Sequence, residues 1–314
     1  MLRTDTSTVQ LERPALLVAQ LLSIGALLFA LAGDALAGVG VENGDRWPSR
    51  TIRYSICDCS LGEVKPLCAK VQCIRDAQAV RDAISLWNQR AGHVVRLVER
   101  DKTDRENPYL LYVSQVSETT KATEAADTWC FTEDVGYHRE NGPKLVIIGD
   151  RCVEKKKAQS SLLGTIAHET GHAVGLHHEQ QRTDRDKYLS VKFTGSTANS
   201  AIYQSGRVCA SDAEEKCEFQ SVLFGRLYSY GQDLSDYDFG SVMHYPLEPD
   251  ASKWKELCEP GSSDDLKTAC MALTKEGSER LKAQGLTSRH IGQRTGLSDL
   301  DIKALDQLYS GTSF

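Results

Sequence analysis

The stretch 164-GTIAHETGHAVGLHHEQQRTDRDKY-188 holds four of the chain's eight histidines between His168 and His178, with Glu169 and Glu179 beside them. On a helix of 3.6 residues per turn, His168 and His172 lie about 40° apart in projection and leave the same face. Gly175 tolerates the φ > 0 conformation that ends a helix, letting the chain turn back and bring His178 to the same point. Leu162, Leu163, Ile166 and Ala173 fall on the opposite side, which predicts a buried face that holds the imidazoles still.

The spacing is HExxHxxGxxH. Three neutral imidazoles suit a tetrahedral Zn2+ that keeps one position for water, whose pKa such a metal lowers from near 15.7 to about 7. Glu169, adjacent to the first ligand, is the natural base for that water. His177 is off the ligand spacing and reads as a packing residue or a support behind the ligands. Downstream, Ser235 to Pro249 reads SDYDFGSVMHYPLEP and sets Met243 in a tight segment before His244 and Tyr245. A methionine turn beneath the zinc marks the metzincin group.

Three segments, HETGHAVGLHHEQQRTDRDKY, FGSVMHY and IGQRTGLSDLDIKALDQLY, resemble the zinc-binding segment, methionine turn and C-terminal helix of the astacin family, a likeness running from Arg46 to Tyr309. The resemblance implies an α+β, metzincin-type zinc protease with two lobes around an active-site cleft. A mixed sheet and the active-site helix would form the N-terminal lobe; the C-terminal lobe would be irregular, with a terminal helix. It implies zinc ligands His168, His172 and His178, catalytic Glu169 and Tyr245, and Met243 as a support. The activity implied is that of a zinc-dependent endopeptidase hydrolysing peptide bonds of polypeptide substrates through a zinc-bound water activated by Glu169. It also implies a Cys130–Cys152 disulfide and a mature N-terminal amine that reaches Glu179.

The rest of the chain fits a secreted protein. Ala15 to Ala32 is apolar, follows Arg3 and Arg13, and gives way to Ala35-Leu36-Ala37, the pattern of a cleavable signal over 1–37. The protease domain then covers 38–314, with lobes of about 38–180 and 181–314, and Gly38 becomes the new amine. No stable membrane association is expected after that cleavage; an uncleaved anchor is the alternative. A propeptide aspartate has little room before Trp47, and Gly44-Asp45 falls inside the mature start. The ten cysteines suit an oxidising compartment. Besides Cys130–Cys152, they suggest Cys209–Cys217, Cys258–Cys270 and two pairs among Cys57, Cys59, Cys68 and Cys73. A net charge of −6 and no basic run argue against nucleic acid.

Strands are predicted at Thr51 to Ile56, His93 to Glu99, Tyr109 to Val116 and Lys144 to Gly149, the last as the exposed edge strand that receives an extended peptide. Ile74, Ala77, Val80, Ile84 and Trp87 recur at helical spacing before Gly92, and Ser298 with Asp301 caps a last helix. Between Tyr188 and that helix the periodicity fades and loops are expected. Arg182, Asp184, Arg185 and Asp186 read as a charge-paired loop with structural roles. Lys253 and Lys255 would bear on acidic residues near the cut or stand in solvent. A zinc-holding but catalytically silent binding module is the rival reading; Glu169 and Tyr245 argue against it.

Overall fold

Apolar residues every three or four positions make α1 (Ala77–Ala91) one-sided, burying Ala77, Val80, Ala83, Ile84, Trp87 and Ala91. Asp76 caps its start by accepting from Ala79 N at 3.1 Å. In the computed structural model the described residues are 39–41, 46–61, 68, 71–101, 109–116, 130–132, 135–137, 143–149, 152–153, 159–191, 231–247 and 271–314. The expected signal peptide, Gly44-Asp45, Cys209, Cys217, Lys253, Lys255, Cys258 and Cys270 lie outside them.

The helix links two parallel strands, β2 (Thr51–Ile56) and β4 (Arg96–Glu99). With β5 (Tyr109–Val113), β7 (Cys130–Thr132) and β8 (Lys144–Ile148) they form a five-stranded sheet in the order β4-β2-β5-β8-β7. All neighbours run parallel except β7, which is antiparallel to β8. One sheet face (Ile52, Tyr54, Ile56, Leu110, Tyr112, Val146, Ile148) packs on α1 and on α2 (Gln159–Ala173), the main core. Tyr112 OH bonds Thr170 Oγ1 at 2.9 Å and ties α2 to the sheet. The other face carries Tyr109, Leu111, Val113 and Ile147, covered by Cys57, Cys68 and Val71 of the cysteine-rich insert. That insert is closed by Cys57–Cys68 and Cys59–Cys73, separations of 11 and 14, and Cys130–Cys152 spans 22.

Three expectations need correction. Lys144–Ile148 is an interior strand between β5 and β7; its run of Leu145, Val146, Ile147 and Ile148 suits a strand covered on both faces, and among the described residues the short antiparallel β7 takes the edge. The strand expected from His93 begins at Arg96, because Val94 and Val95 still bond back to Ala91 at the end of α1. The one expected over Tyr109 to Val116 breaks at Ser114, after which β6 (Gln115–Val116) pairs with β3 (Val71–Gln72).

Among the described residues, the C-terminal half adds short elements to the expected terminal helix. Strand β9 (Leu189–Val191) pairs with β11 (Met271–Leu273), and α3 (Lys275–Ala283) follows, capped by Thr274. Leu189, Tyr237, Phe239, Met271, Leu281 and Ile291 make a second core. The last helix, α4 (Asp299–Leu308), has the expected Ser298/Asp301 capping box. Near the other end of the chain, β1 (Val39–Val41) pairs antiparallel with β10 (Gly231–Asp233), and Gly40 bridges Leu176. Arg46 donates to Leu308 O, and Arg50 to Tyr309 O and Thr312 O. Trp47 Nε1 and Tyr309 OH donate to Ala173 O and Val174 O, each at 2.8 Å, fixing the C-terminal end of α2 from two directions.

Candidate metal centre

His168 and His172 leave the same side of α2, and Gly175, at φ 110°, turns the chain back so that His178 faces them. Among the described residues these three form the cluster able to hold a metal ion, with ligand atoms all within 4.8 Å of one another. His177 is buried nearby but outside the cluster. The opposite side of α2 is as the sequence predicts: Leu162, Ile166 and Ala173 are buried, and the partly buried Leu163 packs on the same core.

Each ligand is aimed by an acceptor behind it. His168 Nδ1 donates to Val242 O at 2.7 Å, His172 Nδ1 to Leu176 O at 2.8 Å, and His178 Nδ1 to Gln181 Oε1 at 3.1 Å. With every Nδ1 occupied as a donor, every Nε2 presents a lone pair to the centre. His172 Nε2 and His178 Nε2 approach to 3.0 Å, an arrangement of two acceptors that calls for a cation between them. Burial keeps all three imidazoles neutral, with His172 lowered to about 4 and the other two well below their usual value. Three neutral nitrogen donors in a buried pocket fit Zn2+.

Glu169 is buried next to the ligands, and burial raises its carboxyl to about 7 against the lowering effect of Arg294. Thr132 of the edge strand donates to Glu169 O at 2.7 Å, and its Oγ1 stands 3.4 Å from Oε2. Tyr245 packs its ring on His178, centroids 4.4 Å apart, and burial raises its phenol pKa, as does the Glu169 charge. Gln180 Oε1 accepts from Tyr245 N at 3.0 Å, and Met243, buried, packs against Gly171 of α2.

Glu179 is buried as well. Burial lifts it to about 8 although Arg182 stands 3.6 Å away, and its Oε1 accepts from Asp238 N at 2.9 Å. Arg182 and Arg185 do pair with Asp184 and Asp186, but both guanidinium groups are buried, bonding Ser235 O and Gln180 O. Thr132, Gln180, Gln181 and Val242 were not singled out in the sequence. Only the two glutamines carried a signal: consecutive amides directly after a ligand and an acid, in a segment too short to bury them except against the site.

A family model described as Astacin, a peptidase family, matches residues 41–310. Among curated relatives, blastula protease 10 of Paracentrotus lividus is 28% identical over 206 residues, 65% of this chain and 26% of that protein. Protein SpAN of Strongylocentrotus purpuratus is 32% identical over 155 residues, covering 48% and 18%. Zinc metalloproteinase nas-4 of Caenorhabditis elegans is 30% identical over 173 residues, covering 55% and 39%. The chain thus spans well under half the length of these relatives. Among solved structures, high choriolytic enzyme 1, a hatching enzyme zinc-protease from Oryzias latipes, aligns with TM-score 0.47 and 20% identity over 86% of this chain and 96% of that one.

Proposed function

Because the chain belongs to the astacin family of peptidases, we propose that it is a secreted zinc endopeptidase acting on polypeptides, with His168, His172 and His178 as ligands and Glu169 and Tyr245 as the catalytic residues. The observation that carries this reading is the convergence of three Nε2 lone pairs, each aimed by an acceptor at its own Nδ1, beside a buried carboxyl.

Zinc held there supplies the Lewis acidity that brings the pKa of water toward neutrality and polarises a carbonyl. Glu169, buried beside the ligands, takes the proton of the attacking water and returns it to the leaving amine. Burial and the Glu169 charge keep the Tyr245 phenol protonated, so it donates a hydrogen bond where negative charge develops on the scissile carbonyl. The substrate would add antiparallel to β7, the last strand in the order of the described sheet, where main-chain bonds favour extended polypeptides over small amides. The lobes of about 38–180 and 181–314 meet at the ligands, the first bringing α2 and the second Tyr245. Cleavage of the signal after Ala37 would leave the Gly38 amine to reach Glu179 directly or through water; N-terminal sequencing that finds a distant start rejects this step.

The test is cleavage of an unfolded protein substrate by the purified enzyme, with a chelated sample and Glu169→Ala alongside. Activity is expected to vanish in both and to return with zinc only in the wild type. A folded, zinc-loaded wild type that cuts nothing would sink the enzyme reading in favour of a binding module.

A further inference from the structure

Asp301 occupies the third position of α4, where a carboxylate closes a capping box: its Oδ2 accepts from Ser298 N at 2.9 Å, and its own N–H donates to Ser298 Oγ at 2.9 Å. A cap alone needs nothing further. Yet Asp301 is buried, and its carboxylate also accepts from Val242 N at 3.0 Å and from Ser241 Oγ at 2.6 Å, groups 59 and 60 residues away.

The second of those bonds continues inward. Ser241 Oγ, having given its proton to Asp301, accepts from Met243 N at 2.9 Å. That N–H shares a peptide unit with the Val242 carbonyl, and the Val242 carbonyl accepts from His168 Nδ1 at 2.7 Å. The donors run one way without interruption, from His168 through the Val242–Met243 peptide and the Ser241 hydroxyl to the Asp301 carboxylate. In a buried chain of this kind each bond polarises the next. Electron density drawn toward Oγ by Asp301 makes the carbonyl a stronger acceptor, and a stronger acceptor at Nδ1 makes Nε2 a better metal donor.

We propose that Asp301 and Ser241 are positioning residues for the metal centre, orienting His168 and raising its basicity through the Val242–Met243 peptide. This rests on the zinc reading above and adds two residues, neither touching metal nor substrate. Ser298 separates the relay from the cap: Ser298→Ala removes the side-chain half of the capping box while its backbone N–H still reaches Asp301.

The experiment is zinc affinity of the full chain by competition with a chromophoric chelator, with thermal unfolding of the metal-free protein measured in parallel. Asp301→Asn and Ser241→Ala are each expected to weaken zinc binding about tenfold, the lower end for groups behind a ligand, and to shift the visible absorption of the Co2+-substituted protein. The double variant should be no worse than the weaker single, since both interrupt one chain of bonds. Ser298→Ala should lower the unfolding temperature and leave zinc affinity unchanged. Wild-type affinity in Asp301→Asn or Ser241→Ala overturns the proposal. An equal loss in Ser298→Ala overturns it too, because the cap would then be the cause. A wild type that binds no zinc overturns the metal reading itself.

Discussion

His168 and His172 reach the metal centre from one helix and owe their convergence to its 3.6-residue repeat. The groups from Ser241 to Tyr245 come from a segment without periodicity and Asp301 from the last helix, 59 to 74 residues from their partners. The first half supplies the donor atoms and, through Leu176 O and Gln181 Oε1, aims two of them; the second aims His168 and sets Tyr245 against His178. Spacing within one element is enough to bring His168 and His172 together, whereas holding His168 at a fixed angle takes a carbonyl that only the completed fold delivers.

The sharpest way to break this contrast is Tyr245→Phe. If the C-terminal half served only as scaffold, loss of one buried hydroxyl would barely register in the rate. The expectation is a fall in kcat of about 10²- to 10³-fold, with zinc affinity as in the wild type, read from steady-state kinetics and chelator competition.

A smaller effect tests the seam. A Cβ on Gly164 of α2 would lie 1.7 Å from Arg294 O, a main-chain atom with nowhere to go. Gly164→Ala should therefore force the halves apart and cost about 1–3 kcal/mol in chemical denaturation. An unchanged midpoint would mean that the contact is not needed.

The smallest effect compares one histidine from each half. Burial holds His177 neutral, lowered to about 3, and His244 likewise, lowered to about 4. Both folded values lie below the unfolded one, so the stability tied to the neutral rings is complete above about pH 6.5 and drains away as pH falls toward 4. Buried carboxyls such as Glu179 and Asp238, raised to about 8 and about 7, slope the other way. The readout is therefore a difference: the stability advantage of the wild type over His177→Gln or His244→Gln, in metal-free protein, should shrink by roughly 1 kcal/mol per pH unit between 6.5 and 4. A difference independent of pH would show that neither ring is kept neutral.

What the sequence disclosed follows the same division. The convergence of His168, His172 and His178, Gly175, the buried face of α2, α1 and the Ser298/Asp301 cap were legible because each is a pattern within one element or its immediate end. The edge of the sheet was not. Leu145 to Ile148 reads as a strand, but strand order depends on pairing with Cys130–Thr132, and three residues carry no recognisable period. Helix α3 was missed because few of its residues are apolar; only Gly277 and Leu281 are buried, and its start depends on the Thr274 cap. Asp301 was seen as a cap and not as a partner of Ser241, since nothing local distinguishes the two.

The described disulfides give this division an order in time. All three lie between Cys57 and Cys152 and close short separations, the longest being 22 residues. A chain leaving the ribosome N-terminus first has every partner for these cross-links before Val242 or Asp301 has been synthesised. Oxidation can thus record the arrival of the first half, while the acceptor behind His168 must wait for the second. An unfinished chain can carry its covalent staples and all three histidines while the carbonyl that fixes His168 is still to come.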